Sequence, residues 1–142
     1  MRVLGIDLGS KRIGVAVSDR SATIASPLIV LVRAKSKALD HQAIARLVIE
    51  EEAVAIVVGL PINMSGQEGP ASRAARAEAK LLTTVVNVPV HLHDERRTTV
   101  EADRIMMERK MNAKQRRLVV DKVAAAVLLQ SWLDARSLQK LE

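Results

Sequence analysis

The 142-residue sequence contains no cysteine. This absence excludes disulfide bonds, thiolate nucleophiles and cysteine-ligated zinc or iron–sulfur sites, and it is typical of proteins kept in a reducing cytoplasm. Phenylalanine and tyrosine are also absent, and Trp132 is the one tryptophan. A platform of aromatic side chains that stacks on nucleic-acid bases therefore cannot be built. Any recognition of nucleic acid should depend on its backbone and shape.

Long apolar segments are missing as well. Runs such as residues 123–129 are far shorter than the roughly 18 residues that cross a bilayer. The amino terminus reaches Asp7 before an apolar core typical of a signal peptide can form. We therefore expect a cytoplasmic protein that does not interact with membranes.

The composition indicates one compact domain, residues 1–142, because 49% of the residues are hydrophobic and no linker or repeat divides the chain. Lysine and arginine total 22 against 16 aspartates and glutamates, which gives a net charge of +6. A basic protein of this kind attracts polyanions. Nucleic acid is the first partner to consider.

Short β-prone runs come first and then alternate with helical patterns, which predicts an α/β fold. Pro27 places the third strand at an edge of the sheet. Strands 1, 4 and 5 should be parallel, with strands 2 and 3 as an antiparallel flank, in an RNase H-like five-stranded mixed sheet with helices on both faces. The expected elements are strands at 2–7, 12–18, 22–32, 53–60 and 88–95, and helices at 37–51, after the loop at 61–72, at 98–109 and at 114–138.

Two acidic residues are expected at one edge of this sheet. Asp7 ends the first strand and Glu95 ends the last, and parallel strands present their carboxyl ends along the same edge. Either residue alone could instead form a turn or cap a helix.

Asp121 is the only charged residue on the inward face of the final helix. A single inward carboxylate is costly unless it is paired or binds a metal. It could alternatively cap the helix or pair with Lys122 or Arg117. The apolar residues that follow it on this face are Ala124, Ala125, Leu128 and Trp132.

Three carboxylates without cysteine suit hard cations, Mg²⁺ or Mn²⁺, better than zinc. A site with two such ions hydrolyses phosphodiester bonds without a protein nucleophile. His91 and His93 face the same side of a strand as Glu95, so a zinc site is an alternative. They could also be hydrogen-bonded strand histidines, or one could assist proton transfer.

A basic segment precedes and surrounds Asp121 and is the best candidate for contacts with phosphates, although a solvated surface is the simpler interpretation. Additional basic residues near the acids extend this candidate surface. The predicted nucleic-acid-binding residues are Lys11, Arg12, Arg96, Arg97, Arg109, Lys110, Lys114, Arg116 and Arg117.

Four blocks of sequence, residues 5–19, 57–72, 94–102 and 120–134, closely resemble the YqgF (RuvX) family. The resemblance implies an RNase H-like bacterial cytoplasmic nuclease that matures the 5′ end of 16S ribosomal RNA, and family members are also described as Holliday junction resolvases. The resemblance also implies that Asp7, Glu95 and Asp121 correspond to the family's acidic triad. Some related resolvases place a further acid or histidine one turn after the last aspartate, where this chain has Ala124.

Several functions remain open from the sequence. A metal-dependent endonuclease could act on structured RNA such as precursor 16S rRNA, or on branched DNA, which would favour a homodimer over a monomer. A ribosome-assembly factor that binds nucleic acid without catalysis would use the acids only to shape the fold. The segment from Asp7 to Ser10 also resembles the phosphate loop of sugar-kinase ATPases, but those enzymes need two such domains.

Overall fold

The computed structural model describes residues 1–62, 65–94 and 113–141, and in the last helix it describes the side chains of residues 122–136. Within these ranges, strands and helices alternate after an initial group of three strands. The strands are β1 (Arg2–Leu8), β2 (Arg12–Ser18), β3 (Ala25–Val32), β4 (Ala53–Leu60) and β5 (Val90–Asp94), and the helices are α1 (Lys37–Glu50), α2 (Pro70–Thr83) and α3 (Ala113–Leu141).

The strands form one sheet in the order β3-β2-β1-β4-β5. Strand β1 pairs with β4 in parallel, and β4 pairs with β5 in parallel. Strands β2 and β3 add an antiparallel flank, and Pro27 lies in the edge strand β3. The predicted parallel strands, the antiparallel flank and the edge position of β3 are confirmed.

Helices cover both faces of this sheet. Helices α1 and α2 contribute Ile44 and Leu82 to a core with Leu4 and Ile6 of β1. Helix α3 lies on the opposite face, where Leu129 packs with Val57. Strand β4 is central and covered on both faces, which explains its nearly continuous apolar sequence.

The first two helices begin with recognisable signals. The Ser36 side chain accepts a hydrogen bond from the Leu39 backbone N–H at 3.3 Å, as expected of an N-cap. Helix α2 starts with Pro70 in its first turn, where the missing N–H of proline costs nothing. These signals determine where α1 and α2 begin after the strands that precede them.

Strand β3 begins later than predicted, at Ala25 instead of residue 22. The Asp19 carboxylate accepts hydrogen bonds from the backbone N–H groups of Thr23 at 2.8 Å and Ile24 at 3.1 Å, and it holds these residues in a turn. The hydrogen bonds from Thr23, Ser21 and Ile24 also lower the pKa of Asp19. The local side-chain bonds compete with strand pairing.

The remaining predictions of secondary structure differ by a few residues or fall outside the described ranges. Helix α3 extends over Ala113–Leu141 instead of 114–138, and β5 begins at Val90 instead of residue 88. The helix predicted at 98–109 lies outside the described residues. In the part of the chain that the structure describes, no helix is long and apolar enough to cross a membrane.

Candidate functional site

Asp7 is the next-to-last residue of β1, at the carboxyl end of the strand. Val3 belongs to the core beneath α3, and a Cβ added to Gly5 would touch Leu129 of α3. Because side chains alternate along a strand, Asp7 faces the same side of the sheet as Val3 and Gly5. The first predicted acid therefore lies on the α3 face, at the edge where the sequence placed it.

The strands beside Asp7 present glycines on this face. Asp7 pairs directly with Gly14 of β2. On the other side, Ile6 pairs with Val58 of β4, so Gly59 follows at the level of Asp7. Neither neighbour brings a side chain next to the carboxylate. On these two described strands the surface beside Asp7 is therefore backbone, which we call the backbone floor, and it suits the close approach of a ligand.

Helix α3 approaches β1 very closely. A Cβ at Gly5 would lie 2.7 Å from Leu129 Cβ and 3.0 Å from the Ala125 carbonyl oxygen. Only glycine allows the helix to rest at this distance from the strand. The backbone of Asp121 lies in α3 one turn before Ala125.

The direction of α3 follows from the contacts of Gln130. Its side chain accepts a hydrogen bond from the Ala25 N–H at 2.8 Å and donates one to the Thr23 carbonyl at 2.9 Å. Ala25 pairs with Ser18, whose hydroxyl accepts from the Val3 N–H at the start of β1. Later residues of α3 therefore lie towards the amino end of β1. The earlier turns, which include the Asp121 backbone, run towards the end that carries Asp7.

His91 and His93 both contact α3, which agrees with the expectation that they share a face. The His91 ring lies 5.3 Å from the Trp132 ring, centroid to centroid. His93 Nε2 forms a hydrogen bond of 2.9 Å with the Ser131 hydroxyl. Burial lowers the pKa of His93 and favours its neutral form. The two residues are thus hydrogen-bonded or packed strand histidines, and nothing in their described contacts resembles a zinc site.

His93 nevertheless lies close to the candidate site. It pairs with Gly59 of β4, which is at the level of Asp7. Two strand spacings separate the backbones of His93 and Asp7, about 10 Å. His93 therefore borders the same backbone floor as Asp7.

Two of the predicted phosphate-binding residues are described. Lys11 is exposed in the turn between β1 and β2, and Arg12 begins β2. Arg12 shares a face with Gly14 and hence with Asp7, because the two residues are two positions apart in a strand. The turn therefore brings cationic groups to the edge that carries Asp7.

The other predicted site residues cannot be placed in the same way. The backbones of Lys114, Arg116, Arg117 and Asp121 lie in α3, but their side chains are outside the described set. Residues Glu95, Arg96, Arg97, Arg109 and Lys110 lie outside the described residues. Among the described side chains no group of three metal-ligating residues is found. The complete triad stays a prediction.

Sequence reasoning missed a buried cluster of charges on the opposite face, formed by Arg33, Asp40, His41 and Glu78. The Arg33 guanidinium donates to both oxygens of Glu78, at 2.6 and 2.9 Å, and to Asp40 at 3.2 Å. His41 Nε2 donates to Glu78 at 2.9 Å. Burial opposes ionisation of Glu78, but the bonds from Arg33 and His41 outweigh it and lower its pKa.

A signal for this cluster was present in the sequence. Glu78 interrupts an apolar stripe of α2 that contains Ala75, Ala79 and Leu82, as Asp121 does in α3. The argument that a lone inward carboxylate needs a partner applied equally to Glu78. A pocket of about 460 Å³ opens beside this cluster and is bordered by Gly9, Lys35 and Lys37 among others.

Comparison with known proteins identifies the chain's relatives. A family model described as "RuvX: Holliday junction resolvase" matches residues 1–135. The chain belongs to the RuvX family. A protein of Anaeromyxobacter sp. (strain K) is 45% identical over 137 residues, which are 96% of this chain and 99% of the relative. A protein of Pelotomaculum thermopropionicum is 42% identical over 142 residues, which are 100% of this chain and 92% of the relative. Both carry the name "Putative pre-16S rRNA nuclease".

A solved structure supports the assignment of the fold. The structure of T. thermophilus RuvC in complex with a Holliday junction substrate matches with a TM-score of 0.60 at 18% sequence identity, and the match covers 96% of both chains. This likeness confirms the predicted RNase H-like fold of this RuvX-family chain. The predicted membership of the RuvX family is confirmed as well.

Proposed function

We propose that this RuvX-family protein is a metal-dependent endonuclease that hydrolyses phosphodiester bonds during maturation of the 5′ end of precursor 16S rRNA. The observation that carries the proposal is the place of Asp7, at the carboxyl end of β1, facing α3 and flanked by glycines. The names of the curated relatives point to the same RNA. The net charge of +6 favours a polyanionic substrate.

The proposed metal ligands are Asp7, Glu95 and Asp121. Carboxylates are the donors that Mg²⁺ and Mn²⁺ prefer, and Asp7 lies on the face towards which the early turns of α3 run. A pair of ions held by these carboxylates would supply an activated water and would stabilise the leaving 3′ oxygen. Ala124 is buried and has no ligand atom, so we propose no fourth ligand one turn after Asp121.

The chain's own residues would bind and orient the substrate strand. The glycines beside Asp7 let a phosphodiester approach the backbone floor without a steric clash. We propose that Lys11 and Arg12 contact phosphates at this edge, because Lys11 is exposed in the turn and Arg12 begins β2 on the face of Asp7. The proposal assigns the same role to Arg96, Arg97, Arg109, Lys110, Lys114, Arg116 and Arg117.

Branched DNA is the second candidate substrate. The matching family is described as a Holliday junction resolvase, and the chain shares its fold with RuvC. Resolution of a four-way junction needs two symmetric cuts, so this function requires a homodimer with a two-fold axis. The RNA substrate can be cut by a monomer. The number of subunits in solution therefore helps to separate the two candidates.

The test compares the wild type with Asp7→Asn on a precursor 16S 5′-end RNA and a four-way DNA junction, in Mg²⁺, Mn²⁺ or EDTA. Asp134→Asn is the matched control, because Asp134 is an exposed carboxylate near the other end of α3. We expect metal-dependent cutting of the RNA that falls about a thousandfold in Asp7→Asn. The control should retain wild-type activity.

The other outcomes assign other functions. Paired symmetric cuts in the junction, with the RNA left intact, would replace the RNA nuclease with a resolvase. Tight binding of RNA without cleavage under any metal condition would indicate a non-catalytic assembly factor. Equal cleavage by wild type and Asp7→Asn would remove Asp7 from the catalytic site.

A further inference from the structure

Arg33, Asp40, His41 and Glu78 form a buried charge cluster in which every member is paired with another. The exposed fractions of the side chains are 17% for Arg33, 4% for Asp40, 3% for His41 and 5% for Glu78. Burial of so many charges is costly, and removal of one partner leaves others uncompensated. Replacement of such a cluster by apolar residues is often neutral for stability. Stability alone therefore does not explain why these charges are buried together.

The cluster is connected to the turn that follows Asp7. Arg33 Nε donates a hydrogen bond to the Gly9 carbonyl at 2.9 Å, and the Arg33 backbone N–H donates to the Lys11 carbonyl at 2.9 Å. Arg33 thus binds both ends of the segment from Gly9 to Lys11. These residues join the end of β1 to Arg12 at the start of β2.

The turn itself has little freedom. The Gly9 N–H donates to the Arg12 carbonyl at 2.9 Å, and a Cβ at Gly9 would lie 2.5 Å from that oxygen. The guanidinium uses its separate donors for Glu78 of α2, Asp40 of α1 and the Gly9 carbonyl. Two helices therefore hold the planar guanidinium in one orientation. Through its hydrogen bond to the Gly9 carbonyl, the guanidinium couples the position of these helices to that of the turn.

We propose that Arg33 is a positioning residue, which acts through the Gly9–Lys11 turn to hold Asp7 and Arg12 in register for catalysis. The inference rests on the proposed nuclease function. Arg33 lies on the α1 and α2 side of the sheet, so it does not touch the substrate side of Asp7. Small displacements of a catalytic group reduce turnover strongly. A lysine at this position supplies one charge but cannot reproduce the fork of donors.

The test is the Arg33→Lys variant, with Arg2→Lys as the matched control. Arg2 also pairs with a glutamate, Glu51, at 2.9 Å, but it lies at the amino end of β1. For Arg33→Lys we expect kcat on the RNA to fall about tenfold and the Mg²⁺ concentration for half-maximal activity to rise, while KM stays within about twofold. Arg2→Lys should change none of these quantities.

Amide hydrogen exchange gives a readout that does not depend on activity. The amides of Gly9 and Arg33 donate to Arg12 and Lys11, so their exchange should accelerate about tenfold or more in Arg33→Lys. The Val3 amide, which donates to the Ser18 hydroxyl, should exchange at the wild-type rate. Faster exchange combined with unchanged kcat and Mg²⁺ dependence would show that Arg33 only stabilises the turn, and would overturn the proposal.

Failure of the proposed function gives a different result. If the wild type cuts neither RNA nor DNA, the nuclease proposal fails, and the positioning role is judged by Mg²⁺ affinity from calorimetry. Equal affinities of wild type and Arg33→Lys would then overturn it. If Arg33→Lys does not fold, the test uses Glu78→Gln instead. This variant keeps the guanidinium of Arg33 but weakens the paired hydrogen bonds that orient the group. The same changes in kcat and exchange are expected.

Discussion

The two faces of the sheet are built from side chains of different size. On the α1 and α2 face, large aliphatic residues such as Ile6, Ile13 and Ile56 are fully buried. On the α3 face the contacts include Ala16 and Ala125, and many of the buried residues there are small. Large side chains fill the space between layers, whereas small ones let backbones approach. The first face therefore provides most of the apolar burial, and the second fixes α3 closely against β1.

This difference matches the distribution of the candidate functional groups. Asp7 lies on the α3 face, and the Asp121 backbone is in the helix that packs there. The opposite face holds the Arg33 cluster, whose charges are internally paired. We therefore expect truncation of apolar core residues on the α1 and α2 face to lower stability with little change in activity, whereas the Arg33 cluster on that face is proposed to reach the site through the Gly9–Lys11 turn.

The largest effect on stability is expected for Ile6→Ala. Ile6 is adjacent to Asp7 in sequence but fully buried on the opposite face. Truncation should lower the free energy of unfolding by about 4 kcal/mol, through lost burial and a residual cavity. Urea denaturation measures the loss, and kcat on the RNA, measured where the variant is folded, should be unchanged.

The control for Ile6→Ala is Ile29→Ala on the edge strand β3, because Ile29 is 39% exposed. This variant should lose about 1 kcal/mol or less, since much of its side chain is already in water. A marked fall in kcat for Ile6→Ala would contradict the separation of the two faces.

A somewhat smaller effect is expected for Glu78→Gln, about 3 kcal/mol at neutral pH, because Arg33 loses its main partner. The pKa of Glu78 is lowered in the folded protein, so its ionisation stabilises the fold above the pKa of an unfolded glutamate, about 4.3. This contribution is lost as the pH falls through the lower folded-state pKa.

The pH dependence distinguishes this cluster from ordinary packing. Chemical denaturation at several pH values should show that the difference in stability between wild type and Glu78→Gln shrinks as the pH falls below about 4.3. Carboxylates elsewhere titrate in both proteins and cancel in the difference. A difference that stays constant down to pH 3 would mean that folding does not lower the pKa of Glu78.

The fold was predictable from the sequence because its signals are local or periodic. The apolar run of β4 predicted a central strand, the alternation of helices with later strands predicted their parallel pairing, and Pro27 predicted an edge strand. The start of β3 was wrong because the Asp19 side chain binds the Thr23 and Ile24 amides. Competition between a side chain and a strand partner has no periodic signature.

The candidate site was predictable only in part. The strand end that carries Asp7 follows from the sheet topology, and so does the face shared by His91 and His93. Glu78 carried the signal of an inward carboxylate, but its partner could not be predicted, because Arg33 is 45 residues away and meets Glu78 only in the folded protein. The close contact of α3 with Gly5 is likewise a tertiary property, since a lone glycine in a strand does not reveal what packs on it.

A smaller effect on stability than that of Glu78→Gln is expected for Gly5→Ala, but this change should reach the candidate site. The added methyl would lie 2.7 Å from Leu129 Cβ and 3.0 Å from the Ala125 carbonyl, so α3 must shift away from β1. Overpacking of this kind costs about 2 kcal/mol. Because the helix backbone that moves also carries Asp121, kcat should fall and the Mg²⁺ requirement should rise. Gly5→Val should strengthen each change. If both variants lose stability while the Mg²⁺ requirement stays the same, the spacing between α3 and β1 does not determine the geometry of the metal ligands.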